Sequence, residues 1–346
     1  MRRITAVAMF ALFAVSSAAC ASSAARARGS GDVLRLGIFP NLTHAPGHVA
    51  IGSGILKQAL GSTKLDATVF NSGTDAGNAL LAGSIDATYI GTGPATSLFV
   101  KSRGGVSIVS GAVAGGASLV VRKGAGISQP SDLNGKKLAV PGIGNTQDVA
   151  LRTWLASHGL KPKESGGSVA IVPVDNPELP QLFRSGQVDG AWEPEPWPSL
   201  LEQEGLAQEL VDEASLWPRG QFVTTVLVVS KPYLEAHQDV GKRLVEANVK
   251  AIDLIRKDPA RAQSIAASEL TKAGAPQLPA AVVQAAWKRL TFTWEPLAAS
   301  VQKSAQNAFA LGYLDSNPTN IAEIFRLDLL NAVLRAQGEP PVQGTA

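Results

Sequence analysis

Leu81-Ala82-Gly83-Ser84-Ile85-Asp86-Ala87 is answered about a hundred residues later by Phe183-Arg184-Ser185-Gly186-Gln187-Val188-Asp189-Gly190. With Gly83 aligned on Gly186, an aspartate follows three residues on in both segments. Each segment ends the same larger pattern. Upstream of the first, the spacing of apolar residues predicts a strand over 33–39, a helix over 46–60, a strand over 65–70, a helix over 74–82 and a strand over 87–90. Upstream of the second, it predicts a strand over 137–140, a helix over 145–158, a strand over 169–174, a helix over 177–185 and a strand over 190–192. Leu36 precedes Asp86 by fifty residues and Leu138 precedes Asp189 by fifty-one, so the register survives across the whole unit. The chain is read as an α/β protein with two duplicated βαβαβ lobes, parallel strands and a cleft between the lobes. Gly83 and Gly186 fall at helix C-caps, where a positive φ carries no Cβ penalty. Asp86 and Asp189 are expected to cap or turn the chain into the next strand.

Ligands of open α/β sheets sit outside the carboxyl ends of the strands, and the repeat fixes which loops those are. In the first lobe they are Pro40-Asn41-Leu42-Thr43-His44, Gly91-Thr92-Gly93-Pro94 and Gly115-Gly116. In the second they are Pro141-Gly142-Ile143-Gly144-Asn145-Thr146-Gln147 and Glu193-Pro194-Glu195-Pro196-Trp197. Several run into predicted helices, whose first N–H groups and positive dipole end receive an anion without lysine or arginine. The candidate ligand-binding residues are therefore Asn41, Thr43, His44, Thr92, Gly93, Pro94, Gly116, Gly144, Asn145, Thr146, Gln147, Glu193 and Trp197. Simple N-capping explains Asn145 and Thr146 equally well. The loop at 142–147 lacks GxxxxGK[ST], so it is not a phosphate P-loop.

Met1-Arg2-Arg3, an apolar run over 6–15 and Ser17-Ala18-Ala19 ahead of Cys20 form a charged, then apolar, then small-residue leader. A cysteine there resembles a bacterial lipoprotein signal, with Ser17 standing where leucine is usual. The resemblance implies lipidation of Cys20 and work at the outer face of the cytoplasmic membrane. Cys20 is the only cysteine, so no internal disulfide can form. Residues 21–32 read as a flexible tether. Loss of Arg2 and Arg3 with the leader brings the formal charge of +3 to about +1, which argues against a nucleic-acid surface.

Leu36-Gly37-Ile38-Phe39-Pro40, Leu80 to Ala87 followed by Gly91-Thr92-Gly93-Pro94-Ala95, Asp132 to Val140 and Val188 to Pro194 together resemble the solute-binding proteins of ABC importers in the nitrate, sulfonate, taurine and bicarbonate group. The resemblance covers nearly all of the chain after Val33. It implies the type II periplasmic-binding-protein fold, with two lobes that close on the solute about a hinge of two crossings, expected near 121–123 and 222–225. The implied organisation is a signal peptide at 1–19, a tether at 20–32, a first lobe from 33–122 and 224–346, and a second lobe at 123–223. The implied partners are a small anionic solute, an ABC permease with its ATPase and, through the lipid, the membrane; a monomer is expected.

Aliphatic sulfonates or taurine lead as the solute, because Glu193 can pair an amine while helix starts hold the sulfonate. Nitrate or bicarbonate comes next, and a pyrimidine precursor stacked on Trp197 is a third option. Cofactor-free dehydratases share the fold by resemblance, but the leader places this chain outside the cytoplasm. No catalytic motif, metal or cofactor is expected: G-x-S-x-G and H-E-x-x-H are absent, and His44 and His48 have no clear carboxylate near them in sequence. Beyond 231 the chain reads as mostly helical, over 240–257, 259–270, 279–289 and 297–311. Trp154, Trp287, Trp294 and Phe309 are assigned to core packing, whereas Trp192 and Trp197 flank the cleft loop, where core packing and an aromatic wall for the solute both fit.

Overall fold

A computed structural model describes residues 33–344; Cys20 and the leader lie outside the described residues. The first βαβαβ unit is built from β1 (Val33–Ile38), α1 (Ala45–Gly52), α2 (Ile55–Leu60), β2 (Lys64–Val69), α3 (Gly73–Leu81) and β3 (Ala87–Ile90). It continues through α4 (Thr92–Lys101) into β4 (Val106–Gly115). The second unit comprises β5 (Ala117–Arg122), β6 (Lys137–Val140), α5 (Thr146–Ser157), β7 (Ala170–Pro173), α6 (Leu179–Arg184), β8 (Gly190–Pro194), α7 (Trp197–Gln203) and β9 (Ala207–Asp212). The chain then returns through β10 (Val223–Ser230) to α8 (Lys231–Ala236), α9 (Gln238–Lys257), α10 (Pro259–Lys272), α11 (Ala280–Lys288), β11 (Leu290–Phe292), α12 (Ala298–Ala310) and α13 (Asp328–Ala336).

Two sheets result, ordered β11-β4-β10-β3-β1-β2 and β7-β6-β8-β5-β9. Within each, the three repeat strands are parallel: β1 pairs with β2 and β3, and β6 with β7 and β8. The internal copy holds at the level of pairing, since Leu36 faces Ala87 and Leu138 faces Gly190. The two aspartates perform one task in both lobes. Asp86 Oδ2 accepts the Arg35 N–H at 2.9 Å and Asp189 Oδ2 accepts the Lys137 N–H at 3.0 Å, while their own N–H groups return bonds of 2.8 Å to the same residues. Each aspartate therefore locks the start of its lobe's first strand to its third. Gly83 and Gly186 have φ of 70° and 68°, as the C-cap reading requires.

The sequence pattern differs from the structure in three places. The helix expected over 46–60 is two helices, broken where Gly54 takes φ 80°. The chain changes sheet at Gly115-Gly116, with φ 75° and 72°, so the crossing expected near 121–123 instead falls at the far end of β5 in the second sheet. Only glycine fits there, because a Cβ would meet Arg289 O at 2.8 Å on Gly115 and Leu290 Cδ2 at 2.2 Å on Gly116. Phe309, assigned to the core, is 39% exposed: Ala305 and Ala308 occupy the buried stripe of α12 instead. Trp154 and Trp287 are buried as expected, and Trp294 is half-buried beneath the Arg256 guanidinium at 4.0 Å.

The two crossings touch. Gly115 N–H donates to Phe222 O at 3.0 Å, and the Thr224 hydroxyl donates to Gly115 O. The second lobe is thus hung from one bonded pair of backbones.

Candidate functional site

The loops after β1, β3 and β6 meet at a cavity of about 40 Å³ between the lobes, closed on one side by β10. Of the candidate residues, Asn41, Thr43, His44, Pro94, Asn145, Thr146 and Gln147 line it. Asn71, Thr224 and Thr225 line it too and were not anticipated from sequence. The two threonines open β10 where the chain re-enters the first sheet, a position whose sequence indicates only a hinge.

Four helix starts converge on this space: α1 behind its N-cap His44, α3 at Gly73, α4 behind Gly91 and α5 behind Asn145. Only α3 has a side-chain cap, from Ser72 to the Asp75 N–H at 3.2 Å. Asn145 does not cap α5 with its side chain, and the Thr146 and Gln147 N–H groups meet no protein acceptor among the described residues. No lysine, arginine or carboxylate lines the cavity. Asp75 and Asp148 sit in the first turns of α3 and α5 but outside the cavity wall, and positive dipole ends with unpaired donors facing a wall free of carboxylates form a site that favours an anion.

His44 adds one uncharged group. Burial holds its imidazole well below the usual histidine range, with repulsion from His48 a smaller cause. Its Nδ1 is buried without a partner. His48 is used structurally, its Nε2 lying 2.7 Å from Phe39 O. Among the described residues no group of three metal-ligating side chains comes together.

The lobes are closed on each other. Gly93 N–H donates to Thr146 Oγ1 at 3.1 Å across the cleft, so the start of α4 meets the start of α5. A Cβ on Gly91 would lie 2.3 Å from Thr146 Oγ1, and one on Gly93 would lie 3.0 Å from Thr146 N. These glycines therefore permit the approach of the lobes and do not themselves present a ligand group. Asn71 Nδ2 to Asp175 Oδ2 at 3.0 Å and Leu42 N–H to Glu195 O at 2.9 Å add further bridges.

The remaining candidates lie off the cavity. The Thr92 hydroxyl bonds Ser304 at 3.2 Å, Gly116 is in the crossing, and Gly144 N–H donates to Asp148 Oδ2 at 2.8 Å. Trp192 and Trp197 are wholly buried and neither lines the cavity, so the aromatic wall expected from the sequence is not among its lining residues. Trp197 Nε1 donates to Asn41 Oδ1 at 2.7 Å, and Trp192 Nε1 to Glu213 Oε2 at 2.8 Å. Glu193 is fully buried beside Asn176, whose amide in its satisfied orientation donates to Oε2 at 3.0 Å. Its Oε1 has no partner, and burial raises its pKa well above the usual carboxylate range. A larger groove, about 1030 Å³, runs between α5, the segment at 213–221, α12 and the tail at 339–343. None of the candidate residues lines it.

Two sheets joined by paired crossings around an anion-favouring cleft define the architecture of two-lobe periplasmic binding proteins. The chain belongs to the NMT1-like family, whose profile matches residues 30–269. It is 30% identical over 209 residues to the taurine-binding periplasmic protein of Escherichia coli K12, an alignment covering 60% of this chain and 62% of that one. A putative binding protein of Brucella abortus is 28% identical over 207 residues, covering 59% and 61%. The chain thus spans about three-fifths of the length of the curated relatives it matches. Among solved structures, the nitrate-binding protein of Synechocystis PCC 6803 superposes with a TM-score of 0.76 at 16% identity, covering 91% of this chain and 92% of that one. The alkanesulfonate-binding protein of Xanthomonas axonopodis pv. citri, bound to MOPS, gives 0.72 at 22% identity, covering 86% and 98%.

Proposed function

We propose that this chain is the extracytoplasmic solute-binding lipoprotein of an ABC importer, and that it captures an aliphatic sulfonate or taurine-like small anion in the interlobe cleft. The observation that carries this reading is the convergence of four helix starts on a cavity lined by no charged side chain, its one histidine, His44, being held neutral by burial. Binding rather than catalysis agrees with the relatives, which are named as binding proteins. Nitrate or bicarbonate is the second reading, favoured by the size of the cavity: about 40 Å³ accommodates a head group and little tail.

Thermal-shift measurement with taurine, alkanesulfonates, nitrate, bicarbonate and pyrimidines tests the class. A solute at one hundred times its Kd adds about 2.7 kcal/mol to stability. Stabilisation by none of the anions overturns the reading. Glu193→Gln then separates the two solutes. Glu193 lies behind the cavity wall, so an amine has to pass Pro194 to meet the unpartnered Oε1; if it does, the variant weakens taurine binding and leaves nitrate binding unchanged, and equal affinities for taurine remove the amine-pairing role. Anchoring rests on Cys20: Cys20→Ser should release the protein from the membrane fraction or leave the leader uncut, and normal processing with retention on membranes overturns the anchor.

A further inference from the structure

Asp148 stands in the first turn of α5, directly after the anion-facing N–H groups, and is completely buried. Three donors converge on its carboxylate. Oδ2 accepts Gly144 N–H at 2.8 Å and Tyr313 Oη at 2.5 Å, while Oδ1 accepts Arg152 Nε at 2.7 Å. Arg152 is itself held by Glu164 at 2.6 Å and lies 5.9 Å from the centre of the Tyr313 ring. Gly144 takes φ 77° in the turn that delivers Asn145, Thr146 and Gln147 to the cavity. Asp148 therefore fixes the shape of that turn from behind.

Gly144, Asp148, Arg152 and Glu164 all belong to the second lobe, whereas Tyr313 follows α12 and packs against a cluster drawn mostly from the first lobe, including Phe39 and Ala76, which Val149 of α5 joins. Of the three donors to Asp148, Tyr313 alone comes from the other lobe. Arg152 and Gly144 remain to compensate the buried carboxylate, so opening leaves no uncompensated charge.

We propose that Tyr313 is a positioning residue for solute capture: on closure its hydroxyl docks on Asp148 and steadies the turn that presents the anion-binding N–H groups, slowing release. The proposal rests on the anion-cleft reading. It assigns Tyr313 to the dissociation step, because the contact exists only between closed lobes.

Stopped-flow kinetics on the mature protein, with taurine and nitrate as probes, compare wild type with Tyr313→Phe. Loss of one hydrogen bond to a charged group sets the expected effect at about tenfold faster dissociation, with the association rate within about twofold because encounter precedes closure. Unchanged dissociation, or an effect confined to association, overturns it. A merely structural role would lower the melting temperature without that split. If neither probe binds the wild type, the anion reading fails, and the latch is read without solute from amide exchange at Gly144. Faster exchange in Tyr313→Phe, on the order of tenfold, sustains the latch; equal exchange overturns it.

Discussion

His44 is the side chain whose chemistry the cavity leaves unfinished. Its Nδ1 is buried and unpartnered, and burial keeps the ring neutral. We predict that His44→Ala weakens anion binding by about 1.5–3 kcal/mol, the scale of a hydrogen bond to a charged group, and that wild-type affinity is flat between pH 6 and 8. Titration calorimetry checks both, and an affinity that climbs steeply toward pH 6 would show that the imidazole charges on binding. Glu213 makes a different prediction. Burial pushes its carboxyl up to about 7, against the smaller opposing effect of the Trp192 and Trp217 side chains. A carboxyl whose folded pKa exceeds its unfolded value binds a proton on folding, so its contribution is fully present below about 4.5 and is lost as pH rises through about 7. Over that window the loss amounts to about 3 kcal/mol. The lowered pKa values of His44 and His48 act in the opposite sense, since stability they contribute is lost as pH falls below about 6.5. The difference between wild type and Glu213→Gln in urea melts at pH 5 and pH 7.5 therefore isolates the carboxyl, and equal slopes with pH would refute it.

Among the elements, α4 and α5 meet start to start across the cleft. Gly91 has φ −71°, a conformation alanine adopts freely, yet its Cβ would stand 2.3 Å from Thr146 Oγ1. Gly91→Ala should act as a wedge, weakening anion binding at least about tenfold, or 1.4 kcal/mol, while the melting temperature barely moves. Adding Thr146→Ala removes the obstructing hydroxyl and should recover part of the affinity; calorimetry on the single and double variants decides. The same elements show what a sequence can convey. The parallel units were legible because Gly83-to-Asp86 and Gly186-to-Asp189 are local signals tied to apolar periodicity. β5, β9 and β11 were not, because they pair antiparallel with strands distant in sequence, and a turn signal such as Gly115-Gly116 does not say which strand comes next to which. The cavity loops followed from where parallel strands end. Which way each side chain faces did not: Trp197 turned inward to Asn41, Thr92 turned to Ser304, and Asn71, Thr224 and Thr225 entered the wall.

For the whole molecule, closure is the measurable motion. The cavity, the Gly93–Thr146 bond and the Tyr313–Asp148 contact all describe shut lobes. Small-angle scattering should give a radius of gyration that falls on saturation with solute to the value of this structure, through a hinge rotation. Identical curves with and without solute would overturn solute-driven closure. The bonded crossings at Gly115 and Phe222 bear on something other than binding, namely the order in which the protein assembles. β10 lies between β4 and β3 in the first sheet, so that sheet cannot be completed until the chain has returned from the second. Bringing residues 115 and 222 together from an unfolded chain means closing a loop of about a hundred residues, an entropic cost of roughly 4 kcal/mol from the logarithmic length dependence. If 117–220 folds first, that loop becomes a short rigid link, and the outer sheet forms as if its two halves were neighbours in sequence. The inserted lobe is then a template for the lobe that surrounds it, and mutations that destabilise β5 or β8 should slow the appearance of the first sheet, which they do not touch.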